Sequence, residues 1–189
     1  LWSGSIIEIQ PTFRETQVIH ILTVIHDDPI QTIIKVAMFS KPEETFQALV
    51  VKRDPCSQLS LLIVEIPGDI KVSALKIRSE DSTVGNYVTS IGSPLGWKYL
   101  LNDGKITGKK AASMECLSES GEEVFLSSTN MPIVFGATGS PILDQGKITG
   151  LVMAVGSLSV GPWFLGIGIP ITHLGLFVPQ PIIEEFLKN

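Results

Sequence analysis

The sequence predicts an all-β protein: two comparable sets of strands, closed by one short helix at the C-terminal end. Three observations predict it. Short segments rich in Val, Ile, Leu, Thr and Phe recur along the whole chain. Gly and Pro, 17 and 12 of 189 residues, fall between most of them. Helical spacing of apolar residues occurs only in the tail.

The first set of segments lies at residues 5–9, 18–23, 32–39, 46–51 and 59–66. A second set follows at 74–77, 87–91, 104–109, 123–126, 141–143, 147–155 and 164–169. Two such sets imply two small barrels or sandwiches, each burying one face of its strands. The Pro- and Gly-bearing residues 67–71 are the expected crossover, which places any functional site at the seam between the halves. In the tail, Pro181 opens a helix over 181–188, Glu184 and Glu185 lie toward its N-terminal end, and Lys188 lies at the other. Ile182, Ile183, Phe186 and Leu187 share one face, so this helix is expected to cap the domain.

Composition excludes several function classes. With 44% hydrophobic and 17% charged residues, the chain has the apolar content to bury a core, which argues against disorder. A net charge of -5 and no basic cluster beyond the pair Lys109-Lys110 remove the electrostatic footprint of a nucleic-acid binder. The apolar stretch 151–171 is broken by Gly156, Gly161, Pro162, Gly166 and Pro170, so a membrane span is not expected. No charged, apolar and cleavage regions open the chain in series, so a targeting segment is expected to be absent and the compartment stays open. Cys56 and Cys116 are too few for a metal cluster or a disulfide framework and are expected as two free, buried thiols, with no metal and no cofactor.

Several segments can carry chemistry. Ile21-Leu-Thr-Val-Ile-His26 ends an apolar strand on an imidazole, a rigid mount for a general base. Arg53-Asp-Pro-Cys-Ser-Gln58 leads into the apolar run Leu59-Ser-Leu-Leu-Ile-Val64. Gly136-Ala-Thr-Gly-Ser-Pro-Ile142 is a tight turn whose backbone N–H groups can face a ligand. Between and after them stand Val84-Gly-Asn-Tyr-Val-Thr-Ser-Ile-Gly-Ser-Pro-Leu-Gly96, Asp103-Gly-Lys-Ile-Thr-Gly108, Gly146-Lys-Ile-Thr-Gly-Leu-Val-Met-Ala154 and Gly166-Ile-Gly-Ile-Pro170.

Each motif alone is weak, but in this order and with these gaps they resemble the trypsin-like, chymotrypsin-fold serine protease domain of the HtrA/Deg family over nearly the whole chain. The resemblance implies two six-stranded antiparallel β-barrels with a short C-terminal helix. The expected division is residues 1–70 for the first barrel, 71–176 for the second and 177–189 for the helix, with no room for a PDZ module. It implies a polypeptide substrate or protein partner, and homo- or hetero-oligomers, trimers by family habit.

The same resemblance assigns the site. His26 takes the place of the general base. Gln58 stands where the family has the aspartate that orients it, and Thr138 stands at the nucleophilic serine. The backbone N–H groups of Gly136, Ala137 and Thr138 would form the oxyanion hole. Val152, Met153 and Ala154 would either wall the primary specificity pocket or simply pack their strand.

Two of three catalytic positions are therefore substituted. A neutral amide can accept the imidazole N–H but adds no charge to stabilise an imidazolium; the corresponding Asp-to-Asn change in a serine protease triad loses about 10⁴ in turnover. Threonine keeps a hydroxyl, yet its methyl restricts χ1 in a site shaped for serine. Asp27, Asp28 and Asp54 could supply a carboxylate or serve as turn residues. Ser140, His20 and His173 read as structural. Two functions follow: a pseudoprotease that binds polypeptide or regulates and assembles with partners, or a weak serine-type endopeptidase with Thr138 as nucleophile and His26 as base. The second survives because oxyanion and binding contributions alone leave about 10³ to 10⁴ over water.

Overall fold

The computed structural model describes residues 3–12, 15–26, 34–93, 97, 99–116, 123–134, 136–160 and 167–189. The expected turn residues Asp27 and Asp28, together with Pro94 to Gly96 and Gly166, lie outside them.

The N-terminal half forms strands β1 (Gly4–Pro11), β2 (Thr16–Val24), β3 (Ile34–Met38), β4 (Lys41–Arg53) and β5 (Leu59–Pro67). They pair antiparallel in the order β1-β2-β5-β4-β3. Alternation along β2 and β5 sends Ile19, Ile21, Leu62, Val64 and Ile66 into this half's own core. The other face of β2 and the start of β5 are also buried: Leu22, Val24 and Leu59 join a second cluster with Leu126, Ile148, Leu151, Met153 and Val178 from the C-terminal half. A strand covered on both faces explains why 18–25 reads as a nearly unbroken apolar run.

The C-terminal half supplies β6 (Tyr87–Gly92), β7 (Leu100–Glu115), β8 (Glu123–Thr129), β9 (Pro141–Asp144), β10 (Lys147–Val160) and β11 (Ile167–Pro179). They close into a barrel in the order β10-β11-β8-β7-β6-β9. Pairing of Thr89 with Leu143 and Ser90 with Ile142 joins β6 to β9 and completes the ring. Inside lie Val88, Ile106, Met131, Ile133, Ile142, Val152 and Phe177. At Gly150 a Cβ would collide with the Phe177 ring, so glycine there lets the ring fill the barrel.

The all-β architecture of two strand units and one helix is the expected one. The second unit is a closed six-stranded barrel. In the first, five strands pair among the described residues, where six were expected, with β1 and β3 at the edges.

Two expectations need correction. Residues 74–77 are not a strand: Ile77 makes one parallel bridge to Ile148, and Leu75 N donates to Ile6 O at 2.8 Å. The connection 68–86 takes only scattered bonds from each half, one to the edge strand β1 at Ile6 and others to β10 at Ile148, too few in a row to form a ladder. The cysteines are not free thiols either. Cys56, in the loop after β4, is disulfide-bonded to Cys116 at the end of β7, 60 residues away. Sequence spacing cannot reveal this pairing, because only the docking of one half on the other brings the two loops together.

Helix α1 (Gln180–Lys188) follows an uncapped Pro179 with Pro181 in its first turn. Its buried Ile183 and Phe186, flanked by Ile182 and Leu187, pack on the cluster shared by the two halves. Lys52 donates to the Phe186 carbonyl and lies 4.8 Å above its ring, tying β4 to the helix end. Among the described residues no helix is long and apolar enough to cross a membrane.

Candidate active site

His26 stands two residues past the end of β2, with an exposed ring. Ile25 before it is buried and donates its N–H to the Gln58 carbonyl at 3.0 Å, which locks the strand end to the loop 54–58. The His26 Nδ1 is 2.5 Å from Gln58 Oε1. The other end of that amide, Nε2, donates to Met114 Sδ at 3.6 Å. With its carbonyl end toward the ring, Gln58 accepts from a protonated Nδ1 and leaves Nε2 of the imidazole as the acceptor. This is the ring state a general base requires, formed without a negative charge behind it.

Asp54 does not replace the missing carboxylate. Its Oδ1 accepts from Cys56 N at 3.0 Å, and its Oδ2 accepts from Ser57 N at 3.1 Å and from the Ser57 hydroxyl at 2.5 Å. All of these bonds fold the loop on itself, a turn role of the kind aspartate fills when its side chain caps nearby N–H groups. Gln58 itself adopts φ 58°, a left-handed conformation that side chains other than glycine rarely take.

The turn 136–140 approaches from the second barrel. Gly136 and Gly139 have φ 88° and 81°, so the chain reverses sharply about Thr138. Ala137 N donates to Val134 O at 3.2 Å, Gly139 N to Val152 O at 2.8 Å and Ser140 N to Ala137 O at 2.9 Å. Among the described residues no carbonyl accepts from the Gly136 or Thr138 N–H, which leaves these two of the three expected oxyanion donors unpaired and the Ala137 donor engaged. The Thr138 hydroxyl donates to the Met153 carbonyl at 3.4 Å, and no hydrogen bond joins it to His26 among the described residues. Ser140 is buried at 1% exposure, out of reach of any substrate.

What brings the turn to the histidine strand is a residue the sequence did not single out. Ser3 N donates to Thr138 O at 2.8 Å, Ser3 O accepts from Thr23 Oγ1 at 2.5 Å, and Ser3 Oγ accepts from Ser93 N at 3.1 Å. One serine thereby links the turn, β2 three residues before His26, and the end of β6. A Cβ on Gly139 would meet the Ser3 carbonyl oxygen and Thr23 Oγ1, so the turn is seated directly on this strap. Met114 was also missed; as one apolar residue in a strand it carries no sequence signal for a role beside position 58.

Val152 and Met153 are each 1% exposed, their side chains in the barrel core and the shared cluster. Ordinary strand packing therefore accounts for both side chains, and what this stretch presents to the turn is its backbone carbonyls. Ala154 is half-buried. His20 Nδ1 is 3.3 Å from Glu8 Oε2, and His173 Nδ1 is 3.2 Å from Asn130 O; both histidines serve local structure. Among the described residues no group of His, Cys, Asp or Glu is placed to hold a metal ion.

A second polar centre holds the connection 68–86 on the barrel. Asp144, 3% exposed, accepts from Ser82 Oγ at 2.7 Å and Asn86 Nδ2 at 2.8 Å and pairs with Arg78 Nη1 at 3.2 Å. Burial alone would raise its pKa; the Ser82 and Asn86 hydrogen bonds and the Arg78 charge outweigh it and hold the carboxyl below its ordinary value.

Comparison with known proteins agrees with this fold. Residues 15–151 match the family model for the trypsin-like peptidase domain. Protease Do-like 1, chloroplastic, of Arabidopsis thaliana is 30% identical over 141 residues, 73% of this chain and 31% of that protein. Serine protease HTRA2, mitochondrial, of Drosophila grimshawi is 27% identical over 137 residues, 72% of this chain and 30% of that protein. The chain thus spans about a third of the length of these relatives. Among solved structures, the HtrA-type protease AlgW with decapeptide superposes with a TM-score of 0.71 at 20% identity, covering 100% of this chain and 50% of that one. The active form of the Rv3671c protease from M. tuberculosis gives 0.71 at 17% identity, covering 98% and 78%.

Proposed function

The chain belongs to the trypsin-like peptidase family, with HtrA-type proteases among its relatives, and we propose that it is a pseudoprotease: a domain that keeps the protease fold and binds extended polypeptide without hydrolysing it. One observation carries this reading. The group that orients His26 is the neutral amide of Gln58, at 2.5 Å, and not a carboxylate. Proton transfer from a nucleophile would leave an imidazolium with no counter-charge to stabilise it, the role the triad aspartate fills.

Thr138 supports it. Its hydroxyl is engaged by the Met153 carbonyl, and its branched side chain has little freedom to turn toward the ring. Polypeptide is the proposed ligand because the similar HtrA-type protease AlgW was solved with a decapeptide. The backbone around residues 136–138 would hold the peptide main chain, with Ala154 leaving room for a side chain. Assembly with related subunits, as homo- or hetero-oligomers, belongs to the same proposal.

The weak-endopeptidase reading has one observation in its favour: among the described residues nothing accepts from the Gly136 or Thr138 N–H groups, as oxyanion donors require. Fluorescence anisotropy with labelled, unfolded casein, followed by mass spectrometry of the same mixture, separates the two. Saturable binding with intact casein is the expected result. Absence of binding, or cleavage that disappears in His26→Ala, overturns the pseudoprotease proposal.

A further inference from the structure

The loop 54–58 crosses to the second barrel twice within three residues. Cys56 is bonded covalently to Cys116, and two positions later Gln58 donates to Met114, itself two positions before Cys116. From its own half the loop is held by Asp54 and by the Ile25 N–H. The amide at its tip has one donor end and one acceptor end. With the NH2 end on the Met114 sulfur, only the carbonyl end remains for His26, and Nδ1 must carry the ring proton. Turned over, the same amide would present its NH2 to Nδ1 and drive the proton to Nε2.

We propose that Met114 and the Cys56–Cys116 disulfide are positioning elements that fix the orientation of the Gln58 amide and, through it, the tautomer of His26, so that a dithiol reductant releases both. The bond to sulfur is a weak one by itself, and the adjoining covalent link makes it persistent by keeping the strand end 114–116 against the loop. Opening the link is ordinary exchange. A thiolate of the dithiol attacks one sulfur to give a mixed disulfide, and its second thiol displaces the protein sulfur. Two electrons and two protons reach the protein as two cysteine thiols, and the dithiol leaves as its cyclic disulfide. The significance of this rests on reading His26 and Gln58 as the site, but the test reads ring protonation and neither binding nor hydrolysis.

Long-range ¹⁵N–¹H spectra of the imidazole rings, taken where they are neutral and with His26 identified by its loss in His26→Ala, report the tautomer. The oxidised protein is expected to show His26 as the Nδ1-protonated form alone. Met114→Leu keeps the volume and the disulfide; it is expected to lose that single state and show the Nε2-protonated form. Met114→Gln, whose carbonyl oxygen can accept the same bond, restores it. Dithiothreitol on the unmodified protein produces the same loss as Met114→Leu, with far-UV circular dichroism verifying that the fold persists. If reduction unfolds the chain, the Met114 variants decide. An unchanged single tautomer in Met114→Leu, or an Nε2-protonated ring in the oxidised unmodified protein, overturns the proposal. Failure to bind casein with the tautomer results intact would sink the pseudoprotease reading and leave this one standing.

Discussion

His26 and Gln58 meet through Nδ1 and Oε1 at 2.5 Å, with the ring just past the end of β2 and the amide at the tip of the loop between β4 and β5. The contact preserves the geometry of a base-orienting pair and removes its charge. Catalysis depends on stabilising charge as it develops. On the proposed reading, such a pair keeps a site's shape and lacks the charge that would assist proton abstraction.

Gly139→Ala should disrupt the seam. A Cβ would press on the Ser3 carbonyl and on Thr23 Oγ1, and φ 81° is unfavourable for alanine. The expected loss is about 1–3 kcal/mol, read as a lower urea midpoint with an unchanged slope. Thr23→Val, which removes only the hydroxyl bond to Ser3 at 2.5 Å, should cost about 1 kcal/mol. Wild-type stability in both variants would show that the strap does not hold the turn.

Asp144→Asn should flatten the acid limb of the stability curve. The native carboxyl is held below its ordinary value of 3.8, so the folded state binds the proton less readily than the unfolded chain. Its contribution is then fully present above that value and is lost as pH falls through the lower folded value. The variant should be less stable at pH 7 by about 3 kcal/mol, the usual cost of removing one partner of a buried pair. It should also lose the part of the pH dependence that lies below about 4. A variant that parallels the unmodified protein at every pH would contradict this.

Phe186→Ala tests whether the helix and the two halves form one cooperative unit. The ring is 6% exposed in the cluster that includes Leu22, Leu59 and Leu151 and lies under Lys52. A loss of about 3–5 kcal/mol with one unfolding transition is expected in calorimetry. Separate transitions would mean that the halves unfold independently.

Much of this was legible in the residues. Strands such as β2 and β5 announce themselves because burial on alternate residues, or on both faces, writes an apolar pattern into the chain. Motif order singles out His26, Gln58 and the 136–140 turn, and the contact of His26 with Gln58 is the part of that expectation the fold brings together. Three features were not legible, each for a physical reason. Residues 74–77 have strand composition but cross from β1 to β10, making single bonds to each and no continuous ladder with either. Cys56 and Cys116 meet only because two loops from different halves converge. The Thr138 hydroxyl turns to a backbone carbonyl of β10, a choice set by packing around the turn and invisible in a motif.

Turnover of a casein-type substrate by four proteins tests the central claim most directly: the unmodified chain, His26→Ala, Thr138→Ser, and Thr138→Ser combined with Gln58→Asp. The unmodified chain and His26→Ala should be equally silent, Thr138→Ser should gain little, and the double variant should rise by about 10³-fold or more once charge and nucleophile are both restored. Cleavage by the unmodified chain that vanishes in His26→Ala would contradict the account.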